Sequence, residues 1–210
     1  MVSNQYNHIA SFYDRLSWVL GKSYRESKLT FLEELEEGDK VLYLGGGTGG
    51  NLPGILDRIG ESGKLFYIEA SSKMIEKAIE RVPSSYKPRI TFLHQSGFSG
   101  IPLEVFDALL TQYFLDVLAD KEIRLLFQAM NKRSDKNTKW IFVDFFETKG
   151  KKWLIGLMIR FFRMVTRNPR RNLPDYSHFF NQYGWETGQK KSWGKGFIQA
   201  WLMRKSIIGK

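Results

Sequence analysis

Through residue 148 the apolar positions fall into two alternating patterns: short β-rich runs, and longer stretches with helical spacing. The β-rich runs are Lys40 to Leu44, Lys64 to Ile68, Ile90 to Leu93, Asp107 to Gln112 and Lys139 to Phe145. The last is apolar at most positions, which suits a strand buried on both faces. Helical stretches lie between them. One runs from the glycines after Leu44 to Ile59, with Pro53 tolerated in its first turn. The others are Ser71 to Val82, opened by a Ser cap, and Lys121 to Arg133, with Asp120 placed as its cap. Two more helices, Asn4 to Leu20 and Ser23 to Glu37, precede the first strand, broken by Gly21 and ended by Gly38-Asp39. Strand and helix in alternation predict a doubly wound parallel sheet covered on both faces.

After Phe145 the pattern changes. A long apolar-basic helix (Lys151 to Arg167) and a short one (Pro174 to Tyr183) are followed by two strand-like runs, Trp185 to Trp193 and Gly196 to Arg204. Only Gly194-Lys195 separates them, so the sheet should end in an antiparallel hairpin. With 210 residues the chain can bury one substantial core but not two. A single domain over 1–210 is expected, with 1–38 as a helical cap and 149–183 as a basic, apolar helical insertion before the hairpin.

Composition narrows the chemistry. Without cysteine, disulfides, thiolate metal sites and cysteine nucleophiles are excluded, and no metal site is expected. The first ten residues lack the basic and apolar regions of a secretory signal. The longest apolar stretch, Trp153 to Val165, is broken by Arg160 and Arg163, short of the roughly 20 residues that a membrane span needs. A cytoplasmic location is the expectation. Net charge is +10, unevenly spread: residues 149–210 carry 14 Lys/Arg against 2 Asp/Glu, while residues 1–148 carry 18 against 20. All the excess positive charge thus sits in the last 62 residues, which suits an anionic partner.

The chemistry-bearing unit is the strand, glycine turn and helix at 41–59. Glycines let a ligand approach the backbone closely, and the helix N-terminus behind them is electropositive. No Lys-Ser/Thr follows at Walker spacing, so a P-loop is excluded. The spacing of Gly45, Gly47 and Gly50 does fit G-x-G-x-x-G, which leaves a nicotinamide dinucleotide in play. Glu69 ends the second strand, 24 residues after Gly45. A carboxylate there accepts both hydroxyl hydrogens of a ribose bound at the switch point, a requirement that dinucleotides and S-adenosylmethionine share.

VLYLGGGTGG (Val41 to Gly50) resembles the first motif of class I S-adenosylmethionine-dependent methyltransferases, with G-x-G-x-G at Gly45, Gly47 and Gly49. LFYIEASSKMIEKA (Leu65 to Ala78) resembles their second strand, acidic ribose ligand and following helix. FDALLTQYFLDVL (Phe106 to Leu118) resembles the strand that closes the cofactor pocket, and the late hairpin resembles their antiparallel seventh strand. SFYDRLSWVLG (Ser11 to Gly21) is similar to quinone C-methyltransferases and small bacterial phosphatidylethanolamine N-methyltransferases. The resemblance implies a Rossmann-like, seven-stranded mixed sheet in the order 3-2-1-4-5-7-6. It also implies a cofactor site: Gly45, Gly47 and Gly49 at the amino-acid end, Glu69 on the ribose, Ala70, Ser96 and Gly97 about the adenine, and Thr111 and Gln112 under the methionine. Tyr13 is a candidate lid over the sulfonium, and His178 a candidate general base. Two positions depart from the family pattern. Tyr43 stands where an acidic residue near the methionine amino group is usual, and Ser96 where an Asp usually meets the adenine amine.

Lys149 to Arg171 joins an apolar face to eight cations and no acid. That suits an interfacial helix on an anionic membrane, placing the protein peripherally on the inner membrane face, or a lid over a hydrophobic acceptor. It equally suits a helix packed on the sheet with snorkelling arginines. Methyl transfer to a small hydrophobic or lipid-like acceptor is the expected function. An RNA methyltransferase or RNA-binding module using the basic region, and a non-catalytic cofactor binder of the same fold, are the alternatives. Nucleic acid is less favoured, because the basic segment is bulky and apolar rather than a polar groove with interleaved stacking aromatics.

Overall fold

The computed structural model of the chain describes residues 21–148, 150, 151, 153, 155–157, 159, 160 and 171–206. Seven strands form one sheet: β1 (Lys40–Leu44), β2 (Lys64–Glu69), β3 (Ile90–His94), β4 (Ala108–Gln112), β5 (Lys139–Phe145), β6 (Trp185–Trp193) and β7 (Ile198–Lys205). Their order is β3-β2-β1-β4-β5-β7-β6. Pairs among β1 to β5 are parallel, whereas β7 runs antiparallel to both neighbours. The mixed sheet has the order expected.

Alternation along each strand feeds two cores. Val41 and Tyr43 of β1 enter one, with Ile55, Tyr67, Ile141 and Phe145. Leu42 and Leu44 enter the other, with Phe127, Trp140, Phe142 and Trp201. The helices are α1 (residues 21–29), α2 (Leu52–Arg58), α3 (Ser72–Arg81), α4 (Asp120–Asn131), α5 (helical at 153, 155–157, 159 and 160) and α6 (Tyr176–Gln182). From β1 the chain leads to β2 on one side, while β4 follows on the other. The connections therefore diverge at the carboxyl ends of β1 and β4 and leave a crevice there.

Three local expectations are corrected. The second N-terminal helix does not reach Glu37: it ends before Phe31, which takes φ 64°, and a 3₁₀ turn covers Leu32–Glu34. That turn aims acids at the sheet's cations. Glu34 Oε2 lies 2.9 Å from Arg204 Nη2, the Glu34 carbonyl accepts from Lys139 Nζ at 2.6 Å, and Lys139 also pairs with Glu36. A continuous helix would spread those acids around its axis. The cap of α4 is Ala119 and not Asp120; Glu122 Oε2 turns back to accept the Ala119 N–H at 2.7 Å. Gly21 takes φ 54°, and the segment 4–20 expected as the preceding helix lies outside the described residues. Lastly, the hairpin loop has four residues, 194–197, because Trp193 pairs with Ile198. Gly194, Lys195 and Gly196 take the positive φ values that close it.

In α5, Ile155 is buried, whereas Trp153 and Leu157 are 72% and 55% exposed. Among the described residues no helix is long and apolar enough to cross a membrane.

Candidate active site

A cavity of about 960 Å³ opens at the crevice. At one end are the turn 45–51 and the tip of β2. Phe98 and Leu103 of the β3–β4 connection and Leu125 of α4 also line the cavity.

The turn holds its shape through backbone conformations that favour glycine: φ is 65° at Gly45, 68° at Gly47 and 69° at Gly49. The three glycines do different work. A Cβ on Gly45 would strike the Phe114 ring, so Gly45 admits that ring to the cavity wall. A Cβ on Gly47 would meet only Met74 Sδ at 3.9 Å, so Gly47 presents bare backbone to the cavity. Gly49 is buried and does not line the cavity; a Cβ there would sit 2.5 Å from Leu52 Cδ1 and 2.9 Å from Ala78 Cβ. It belongs to helix packing, not to a ligand.

Glu69 reaches the cavity from the end of β2. Its Oε1 accepts from the N–H groups of Ala70 at 2.8 Å and Ser71 at 3.0 Å, and its Oε2 from Gly47 N–H at 3.0 Å. Burial pushes its carboxyl above the usual carboxylate range, and these three donors, with His94, pull it back. The carboxylate is thus fixed in orientation, with lone pairs left to accept from a ligand. Ala70, Ser96 and Gly97 also line the cavity, Gln95 folding its turn by donating from Nε2 to Gly97 O at 3.1 Å.

Gln112 lines the cavity from the end of β4 and is tied on both sides of its amide. Its Oε1 accepts from the Tyr43 hydroxyl at 2.8 Å and from Asn51 Nδ2 at 2.9 Å, while its Nε2 donates to Lys28 O at 2.9 Å. Tyr43 itself does not open on the cavity. It is buried in the core, edge-on to Tyr67 at 5.4 Å, and its hydroxyl is pushed well up by desolvation. The neutral residue at the usually acidic position therefore supports Gln112 rather than facing a ligand. Thr111 is also placed elsewhere. Its side chain turns to the opposite face of the sheet and accepts the Trp140 indole N–H at 2.8 Å.

The histidines are not in the cavity wall among the described residues. His178 lies exposed on α6, outside the cavity wall, with its backbone N–H donating to Asp175 Oδ1 at 3.0 Å. His94 lies at the β3 end, its Nε2 3.0 Å from Ala70 O. Tyr13 lies outside the described residues, as do the segments 1–20 and 161–170.

Residues that motif reasoning missed complete the wall. Tyr113 holds φ 56°, a strained value for an aromatic residue. There its ring stacks on Tyr24 of α1 at 4.5 Å and tilts on Phe145 at 4.6 Å, and its hydroxyl is 2.6 Å from Ser27 Oγ. Lys28 and Arg25 of α1 and Arg81 of α3 bring three cations to the wall. Arg81 is engaged, with Nη1 donating to the Thr48 carbonyl at 3.1 Å and hydroxyl at 2.8 Å.

With this geometry in hand, residues 41–136 match the family described as Methyltransferase domain. That match covers a little under half of the chain. The chain's parallel sheet with an antiparallel β7 between β5 and β6 has the Rossmann-like fold of solved methyltransferase structures. Solved structures agree in fold. A SAM-dependent methyltransferase from Aquifex aeolicus is 17% identical with a TM-score of 0.64, covering 91% of this chain and 97% of its own. The mitomycin 7-O-methyltransferase MmcR is 16% identical, TM-score 0.66, over 88% of this chain and 54% of its own. The O-methyltransferase NcsB1 from neocarzinostatin biosynthesis, solved with S-adenosylmethionine and 2-hydroxy-5-methyl naphthoic acid, is 16% identical, TM-score 0.66, over 93% and 57%. The chain therefore spans little more than half the length of those two enzymes. Among curated proteins no relative matches it.

Proposed function

We propose that this methyltransferase transfers the methyl group of S-adenosylmethionine to a small hydrophobic or lipid-like acceptor. The observation that carries the reading is the division of the cavity. One end offers the glycine cradle and the oriented Glu69 carboxylate, while Tyr24, Tyr113, Phe114, Val117, Leu118 and Leu103 give an apolar portion to a wall that also carries Arg25, Lys28, Glu122 and Lys132. The cradle fits the cofactor: bare backbone at Gly47 and a fixed acceptor at the β2 tip are what a nucleoside needs there. Bound there, S-adenosylmethionine supplies a methyl group already activated on a sulfonium.

The chain's own residues then have limited tasks. Glu69 accepts the ribose hydroxyls, Ala70, Ser96 and Gly97 bracket the adenine, and Gln112, clamped by Tyr43 and Asn51, stiffens the floor. The aromatic wall excludes water and holds an apolar acceptor at close range, which is the main demand of the reaction. We further propose that the acceptor is reached from an anionic membrane face. The outward pair Trp153 and Leu157 of α5, in a chain whose positive charge is concentrated after residue 148, supports this peripheral docking.

The test is calorimetry with S-adenosylhomocysteine. Wild type should bind it, and Glu69→Ala should weaken binding at least tenfold, about 1.4 kcal/mol. Binding of a nicotinamide dinucleotide in its place overturns the reading. Submicromolar RNA binding that survives Trp153→Ala/Leu157→Ala would transfer the acceptor assignment to nucleic acid.

A further inference from the structure

The methionine end of the cavity carries a charge arrangement that its motif does not announce. The usually acidic position holds Tyr43, which is neutral and faces the core. Opposite the glycine turn, α1 brings Lys28 to the cavity wall. Its backbone is pinned, since Lys28 O accepts from Gln112 Nε2 at 2.9 Å and from Asn51 Nδ2 at 3.4 Å. The start of that side chain is therefore fixed relative to the turn. Its ammonium is 5.8 Å from the Tyr24 ring centroid and has no carboxylate within ion-pair distance among the described residues. The neighbouring cation on α3, Arg81, is already bound to Thr48. Lys28 is thus a half-buried cation in the cavity wall, with no carboxylate at ion-pair distance among the described residues.

We propose that Lys28 is the ligand of the cofactor's methionine carboxylate. The inference rests on the cofactor reading above. A cation losing water without an anion is costly, and the arriving carboxylate removes that cost. The charged groups facing Lys28 support the assignment. Arg25 shares its helix and the cavity wall, Arg81 stands at the end of α3, and Glu69 at the tip of β2. Desolvation first and Arg81 second push the Lys28 ammonium down to about 8, with Glu69 opposing. A carboxylate bound beside it pulls that value back up. Binding therefore takes up a proton when the pH is near or above 8, and takes up none at pH 6.

The experiment compares S-adenosylhomocysteine with 5′-methylthioadenosine, which keeps the nucleoside and lacks the amino-acid carboxylate. Wild type should bind S-adenosylhomocysteine at least tenfold more tightly. Lys28→Met should abolish most of that preference while leaving 5′-methylthioadenosine binding within about twofold, and Lys28→Arg should restore it. The unchanged nucleoside affinity also reports that Lys28→Met is folded. On wild type alone, titration at pH 8.5 in two buffers of different ionisation enthalpy should reveal proton uptake that is absent at pH 6. Lys28→Met retaining the full preference, or wild type showing no uptake at pH 8.5, overturns the proposal while leaving the cofactor reading intact. Wild type binding neither ligand removes both.

Discussion

Gly47 and Gly49 lie two residues apart with nearly the same φ, yet replacing each with alanine should produce opposite phenotypes. Both substitutions force a Cβ into the left-handed region, at roughly 1–2 kcal/mol. At Gly47 nothing more is added to the fold, because the new methyl meets only Met74 Sδ at 3.9 Å. At Gly49 the methyl overlaps Leu52 and Ala78, and the Ala78 backbone Cα 3.2 Å away cannot yield as a side-chain tip would. Overpacking of this kind adds about 1–3 kcal/mol. Gly47→Ala should thus lose about 1–2 kcal/mol in urea denaturation followed by tryptophan fluorescence, and Gly49→Ala about 2–5 kcal/mol. The order reverses for the ligand. Gly47→Ala places its methyl where a nucleoside must approach, so S-adenosylhomocysteine affinity should fall at least tenfold. The folded fraction of Gly49→Ala should bind within about threefold of wild type. Equal destabilisation by the two, or normal binding by Gly47→Ala, would refute the division of labour within the turn.

Other outcomes follow from the same contacts. Burial first and the Asp116 charge second push the Asp144 carboxyl well above its usual range. A raised folded-state value stabilises the fold at acid pH and loses that contribution as pH rises through it, so urea midpoints should decline from weakly acid towards alkaline pH. Asp144→Asn should flatten that decline, and an unchanged slope would count against the assignment. In α5, Ile155→Ala should cost about 2–4 kcal/mol, whereas Trp153→Ala and Leu157→Ala should stay within about 0.5 kcal/mol of wild type. The latter pair should nevertheless abolish co-sedimentation with anionic vesicles, and retained binding would remove the membrane proposal.

Much of the sheet was legible because parallel strands buried on both faces leave short, uninterrupted apolar runs: β1 and β5 have the expected bounds, and β2, β3 and β4 differ by one residue. The breaks in legibility have physical causes. Phe31 reverses the chain where helical spacing continues, because the acids beyond it pair with Lys139, Lys191 and Arg204, whose placement only the assembled sheet provides. Motif spacing located Gly45, Gly47, Glu69 and Gln112, since a strand end followed by a turn is local information. Thr111 and Gly49 do not line the cavity, because their neighbours across the sheet or on α3 decide where they sit. Lys28 and Tyr113 carried no motif signal. Their positions depend on how α1 lies across β4, a contact between residues 84 or more apart in sequence.

That contact has a consequence for anyone exchanging parts between enzymes of this fold. Every attachment of α1 to β4 described above is made at two consecutive positions: Gln112 takes the Lys28 carbonyl, and Tyr113 takes the Tyr24 ring and the Ser27 hydroxyl. Gln112 and Tyr113 are thus a socket, and α1 its plug. A foreign cap grafted onto this sheet arrives without the matching aromatic and hydroxyl, leaving the Tyr113 ring and hydroxyl without the partners they have now. Moving 21–29 together with 112–113 transfers plug and socket as one piece. Chimeras cut at that pair should keep the cap seated, and chimeras that split it should not.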